Sequence, residues 1–121
     1  MLQELLDNLI ANNNTVKLGL ENIQQAAKVL KLQKPAPYVI TIAGTNGKGS
    51  VITLLENLLV DLGYRTGCYT SPHLVAFNER VRINQNNVSD QELIDSFYSI
   101  TTALEANNLQ LTFFEFITLS A

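Results

Sequence analysis

The residues with the densest chemistry are Ala43-Gly44-Thr45-Asn46-Gly47-Lys48-Gly49-Ser50. Glycines at 44, 47 and 49 let a backbone wrap closely around a ligand where a Cβ would collide or forbid the turn. Lys48 brings a point charge able to reach the β- and γ-phosphates of ATP, and Ser50 brings a hydroxyl suited to Mg²⁺. A helix opening at this point adds unpaired N–H groups and a positive dipole end. The eight residues therefore read as a cradle for ATP phosphates, with Lys48 as the charge that works on the phosphoryl group. Against the common G-x-x-x-x-G-K-[ST] pattern, Ile42 stands where the first glycine belongs, and Gly49 separates Lys48 from Ser50. The competing reading is a tight turn that uses glycine for geometry alone, and it leaves Lys48 unexplained.

The flanking sequence supplies what such a loop needs. Tyr38 to Ala43 is short, apolar and β-branched, as in a buried strand of a parallel sheet. Ser50 to Leu62 is predicted to be helical, with Val51, Leu54, Leu55, Leu58 and Leu59 inward and Gly63 as the stop. Arg65 to Tyr69 is predicted to be a second strand, giving a right-handed βαβ unit. Helices are also expected from Met1 to Ile10, with Leu2, Leu5, Leu6, Leu9 and Ile10 at helical spacing, and from about Leu20 to Leu32, with Leu20, Ile23, Ala27 and Leu30 on one face. Pro35 and Pro37 end the second of these. Thr70 to Asn78 reads as a loop around Pro72, Arg80 to Asn84 as a short strand, and Asn86-Asn87 as a turn. Ser89 and Glu92 open a helix to about Ala106, and Thr112 and Glu115 form a second capping box before a helix that continues to Ala121. Because that pattern is uninterrupted at Ala121, the chain is read as truncated. The expected fold is α/β, a P-loop mononucleotide-binding fold with a mostly parallel sheet, incomplete in this stretch.

The chain has 121 residues, 46% hydrophobic and 16% charged, with net charge −3. An average globular protein is roughly 25% charged, so part of this surface is expected to be covered by further chain or a partner. No basic run exists, which argues against nucleic acid or a polybasic membrane surface. Apolar stretches fall short of the ~20 residues that span a bilayer, and the N-terminus lacks a signal-peptide pattern. One cysteine, Cys68, cannot form an internal disulfide, and a reducing cytoplasm is the simplest setting. Cys68 itself reads as a small buried residue.

Other polar residues leave alternatives open. His73, the lone histidine, reads as a loop residue bonded to backbone. Arg80 and Arg82 either form surface pairs with Glu79 or Asp90 or approach an anionic substrate. Phe113, Phe114 and Phe116 read first as core.

Gly44-Thr45-Asn46-Gly47-Lys48-Gly49-Ser50 resembles the nucleotide loop of the Mur-ligase superfamily, and the extra glycine resembles its folylpolyglutamate synthase / dihydrofolate synthase branch. Three further stretches are similar to that branch, in order: Gly63-Tyr64 through Thr70-Ser71-Pro72-His73-Leu74, then Phe77-Asn78-Glu79-Arg80-Val81-Arg82-Ile83, then Leu111-Thr112-Phe113-Phe114-Glu115-Phe116. Leu18-Gly19-Leu20-Glu21 and Lys34-Pro35-Ala36-Pro37 agree as well, so the resemblance covers nearly the whole chain.

The resemblance implies an ATP-dependent ligase that joins L-glutamate to a pteroate or folate carboxyl through an acyl phosphate. Its substrates would be dihydropteroate or tetrahydrofolate with ATP, and Mg²⁺ its metal. It further implies ATP contacts at Thr45, Asn46, Gly47 and Lys48, a Mg²⁺ ligand at Ser71, and substrate contacts at Thr112, Phe113, Phe114 and Glu115 and, more loosely, at Thr15, Val16, Lys17 and Leu18. The residues alone allow Ser71 simply to cap a turn and Glu115 simply to complete its capping box. The remaining metal ligands, a later glutamate and histidine, have no counterpart here, nor does the family's C-terminal domain. Residues 1–121 are therefore expected to be the first part of the ATP-binding domain, inactive alone and monomeric at full length. The alternatives are another Mur-type ligase of cell-wall synthesis and a nucleotide-binding module without catalysis.

Overall fold

A computed structural model describes residues 1–12 and 19–121. They fall into two compact units, one from Met1–Pro37 with Asp90–Ala121 and one from Tyr38–Ser89.

The first unit is helical. α1 (Leu2–Asn12) buries Leu2 and Leu6, one turn apart on the expected apolar face. α2 (Glu21–Val29) buries Ala26 and half-buries Ile23, Ala27 and Leu30 of the expected face, while Leu20 is exposed. It ends in a double backbone closure, Lys31 N–H to the Lys28 carbonyl at 3.1 Å and Leu32 N–H to that of Ala27 at 2.8 Å. α4 (Asp90–Ala106) buries Leu93, Ile94, Phe97, Ile100 and Leu104, a stripe of helical period. α5 (Phe113–Ser120) buries Phe116 and Ile117. Phe97 and Phe116 meet edge to face at 5.5 Å between centroids, and Ser96 donates to the Ser120 carbonyl at 2.8 Å. Phe116 is therefore core as expected, whereas Phe114 is exposed.

The second unit holds α3 (Lys48–Asp61), a short 3-10 helix (Phe77–Arg80) and a three-stranded sheet of β1 (Gly67–Tyr69), β2 (Val81–Ile83) and β3 (Asn86–Asn87). Both pairings are antiparallel, with Gly67 opposite Ile83 and Arg82 opposite Asn87. α3 stops as its sequence predicts: Gly63 takes φ +86°, Gly63 N–H bonds the Val60 carbonyl, and Tyr64 N–H bonds that of Leu59, both at 2.9 Å.

Four expectations change here. Tyr38 to Ala43 forms no strand; no other strand meets its N–H and C=O groups among the described residues, and Tyr38 is 90% exposed. The parallel βαβ unit is consequently not formed among them, and the described sheet is antiparallel. α3 does not bury the expected leucines: Val51, Leu54 and Leu58 face outward, while Glu56 is the buried residue at 3% exposure. A helix apolar on nearly all sides has no unique inward face in its sequence. Finally, the turn lies at Asn84 and Gln85, both at positive φ, and Asn86-Asn87 is strand β3. A type I′ hairpin turn demands left-handed backbone at both central positions, and a glutamine gives little notice of it.

Candidate functional site

The glycine-rich segment leads into α3, whose N-cap is Gly47 at φ +80°. That backbone is open to glycine at little cost and strained for other residues. The N-cap makes no side-chain hydrogen bond to the helix, so the first turn of α3 presents its N–H groups without a capping oxygen. A Cβ built at Gly47 or Gly49 meets nothing within 4 Å. Gly49 lies within α3 and outside the positive-φ region, so neither steric crowding nor backbone conformation calls for glycine there. Lys48 Nζ donates to the Gly44 carbonyl, folding the ammonium back over the loop. Thr45, Asn46 and Ser50 are exposed beside it. Anion-seeking groups and open space thus coincide over residues 44–50.

Ser71 follows β1 by two residues and begins the Ser-Pro-His-Leu loop; its bond to Pro72 is cis. Thr70, just before it, is pinned by its N–H to the Arg80 carbonyl at 2.8 Å. The loop closes on Glu79, whose carboxylate accepts N–H bonds from Leu74 at 2.8 Å, Val75 at 2.9 Å and Ala76 at 2.7 Å. The bond from Ala76 and those from Leu74 and Val75 hold the Glu79 carboxyl below its ordinary value. Glu79 is therefore committed to its own loop, and Arg80 pairs elsewhere: its Nε donates to His73 Nδ1 at 2.9 Å. His73 is thus bonded to a side chain and not to the backbone.

Arg82 corrects the expectation of a surface pair. Its Nη2 stands 2.6 Å from Oε2 of Glu56, whose side chain is almost wholly buried. Oε1 of the same carboxylate accepts the Gln85 N–H at 2.9 Å. Burial, with Glu56 as the next cause, pushes the half-buried Cys68 thiol above its ordinary value. Glu56 was not singled out by sequence reasoning; an acidic residue among leucines reads as the solvent side of a helix.

In the helical unit, Thr112 and Glu115 form the expected capping box. The Thr112 N–H and hydroxyl donate to Glu115 Oε2 at 2.8 and 2.9 Å, and Glu115 N–H donates to Thr112 Oγ1 at 3.3 Å. Leu111 and Phe116, on either side, line a cleft of about 370 Å³ with Leu9, Asn12 and Leu104. Thr15 to Leu18 lie outside the described residues. No group of three His, Cys, Asp or Glu able to hold a metal occurs among the described residues. Ser50 and Ser71 each carry a hydroxyl oxygen. Neutral donors of this kind fit a Mg²⁺ held chiefly by phosphates.

No family model matches the chain. Curated relatives do. The chain is 50% identical over 103 residues to a dihydrofolate synthase/folylpolyglutamate synthase of Buchnera aphidicola, covering 85% of this chain and 25% of that protein. It is 44% identical over 116 residues to the enzyme of that name from Escherichia coli, covering 96% of this chain and 26% of that one. Among solved structures, a bifunctional folylpolyglutamate synthase/dihydrofolate synthase of Yersinia pestis, complexed with AMPPNP and Mn ion, matches at TM-score 0.92 and 44% identity, over 99% of this chain and 29% of that one. The chain spans about a quarter of the length of the curated relatives it matches. In sequence and backbone alike, this α/β segment is similar to part of the dihydrofolate synthase/folylpolyglutamate synthases.

Proposed function

We propose that the full-length protein is an ATP-dependent ligase that adds L-glutamate to dihydropteroate or to a tetrahydrofolate. The observation that carries this reading is the start of α3, where Gly47 offers no capping oxygen and Gly49 has no structural need to be glycine. A helix terminus left open in this way suits a polyphosphate. In this reading the fold is a P-loop mononucleotide-binding fold whose mostly parallel sheet includes Tyr38 to Ala43 paired with further chain. Residues 1–121 are the first part of its ATP-binding domain.

Gly44, Thr45, Asn46, Gly47, Gly49 and Ser50 hold the phosphates through backbone and hydroxyl groups. Lys48 leaves the Gly44 carbonyl and stabilises charge on the transferring γ-phosphoryl group. Ser71 and Ser50 hold Mg²⁺, which when bound neutralises phosphate charge. The substrate carboxylate takes the phosphoryl group, ADP departs, and the glutamate amine displaces phosphate from the acyl phosphate, forming the amide. Thr112, Phe113, Phe114, Glu115 and the segment Thr15, Val16, Lys17 and Leu18 contact the pterin-bearing substrate; the exposed ring of Phe114 supports a stacking role. A monomer in the reducing cytoplasm, without nucleic-acid or membrane partners, completes the reading, supported by net charge −3 and a single cysteine.

The test is phosphate release by the full-length protein with ATP, Mg²⁺ and glutamate, driven by dihydropteroate or tetrahydrofolate. Release that depends on either substrate and disappears in Lys48→Ala and Ser71→Ala supports the assignment. ATP binding without release for either substrate overturns it.

A further inference from the structure

We propose that Glu56 is a positioning residue that fixes the phosphate-binding end of α3 relative to the Ser71 loop. This rests on the roles given above to Lys48 and Ser71. Glu56 lies eight residues after Lys48 on one uninterrupted helix, about 12 Å along its axis. Its two oxygens reach two parts of the hairpin: Oε2 to Arg82 on β2 at 2.6 Å, and Oε1 to the Gln85 N–H in the turn at 2.9 Å. β2 pairs with β1, Cys68 opposite Arg82 and Tyr69 opposite Val81. β1 runs into Thr70, itself bonded to the Arg80 carbonyl, and then into Ser71. A continuous series of contacts, a close charge pair with Arg82, a hydrogen bond from the Gln85 N–H and the β1–β2 ladder, therefore joins the helix of Lys48 to the chain just before Ser71.

A buried carboxylate is an unexpected choice for mere adhesion. Leucine, isoleucine or valine occupies Ile52, Leu55, Leu59 and Val60 nearby, and apolar residues in place of a buried ion pair are commonly as stable or more so. Apolar packing tolerates sliding. A carboxylate that accepts one backbone N–H and stands against one buried guanidinium limits how far the helix can slide along the hairpin, and small misplacements of reacting or binding groups are costly.

The experiment uses the full-length protein and its Glu56→Gln variant. Calorimetry measures binding of a non-hydrolysable ATP analogue with MgCl₂ and, separately, with EDTA, alongside melting temperature and the KM for glutamate. Misalignment of Ser71 against the loop predicts about tenfold weaker binding with Mg²⁺, against about twofold or less with EDTA and for the glutamate KM. A lower melting temperature with unchanged affinity and unchanged Mg²⁺ dependence overturns the proposal. If Glu56→Gln does not fold, Arg82→Lys is measured instead, since it keeps the charge and the Gln85 bond. A weakened Mg²⁺-dependent affinity in that variant supports the proposal, and an unchanged one overturns it. Should the wild type bind nucleotide without folate-driven turnover, the ligase reading fails while the Mg²⁺-dependent loss still decides the role of Glu56. Should the wild type bind no nucleotide, both fail.

Discussion

Arg80 donates its Nε–H to Nδ1 of His73 across 2.9 Å, and the same guanidinium lies 5.4 Å from the centroid of Phe77, against whose ring His73 leans at 5.7 Å. A guanidinium has no acceptor to offer, so Nδ1 must accept, and the neutral imidazole carries its proton on Nε2. Nitrogen-15 NMR of the histidine is expected to show the Nε2–H tautomer. Arg80→Met removes that constraint, and with it a cation–π contact of about 0.5–1 kcal/mol. Both tautomers should then appear.

Glu79 should govern the acid side of the loop's behaviour. Its carboxyl is held below the ordinary value of 4.5 by the N–H bonds from Ala76, Leu74 and Val75. A depressed folded value means that the stabilisation is complete above the unfolded value and is lost as pH falls through the folded one. Stability should therefore decline below about pH 4.5, less steeply in Glu79→Gln. Hydrogen exchange at Leu74, Val75 and Ala76 should be faster in that variant already at neutral pH.

The two inner glycines of the loop should part company on replacement by alanine. Gly47→Ala meets no atom but must hold φ +80°, a cost of about 1–2 kcal/mol. Gly49→Ala lies in helix with open space around it, so stability should rise by up to about 1 kcal/mol. If phosphates approach Gly49 as proposed, the same substitution should weaken ATP binding. Denaturation and calorimetry on one preparation would give both numbers. A stabilised protein with unchanged affinity would remove Gly49 from the ATP contacts.

Thr112 and Glu115 can be separated as cap and as substrate contact. Thr112→Val should cost about 1 kcal/mol, and Glu115→Ala should add little to it, because the two side chains share one set of bonds. A substrate KM that moves only in Glu115→Ala would show a contact beyond the cap.

What the sequence disclosed follows from how local each signal is. The Gly63 stop, the Thr112–Glu115 box and the span of α4 to Ala106 each depend on residues within a turn or two, and all three stand as read. The burial of Glu56 depends on Arg82 and Gln85, far along the chain, and a leucine-rich helix conceals which side faces inward. Asn86-Asn87 carried the stronger turn composition, yet Asn84 and Gln85 make the turn, where Asn84 Oδ1 accepts the Thr66 N–H at 2.8 Å. The reading of the glycine loop as a ligand cradle leans on Gly49, for which the local fold shows no need, whereas Gly47 answers to its own φ of +80°. Tyr38 to Ala43 shows the opposite limit, since a strand needs a partner that no local pattern can name.

The turn at Gln85 has a consequence for assembly. A glutamine at φ +70° is held by an N–H bond to Glu56, 29 positions earlier in the chain. Most two-residue hairpins carry their own instruction in an asparagine–glycine pair and close early. This one borrows its instruction from a helix, so the loop between them must close before the turn is secured. During synthesis or refolding, β2 and β3 should therefore gain protection only after α3 is in place. That makes the helix the template and the hairpin its dependent, a sequence of events that pulsed hydrogen exchange would time.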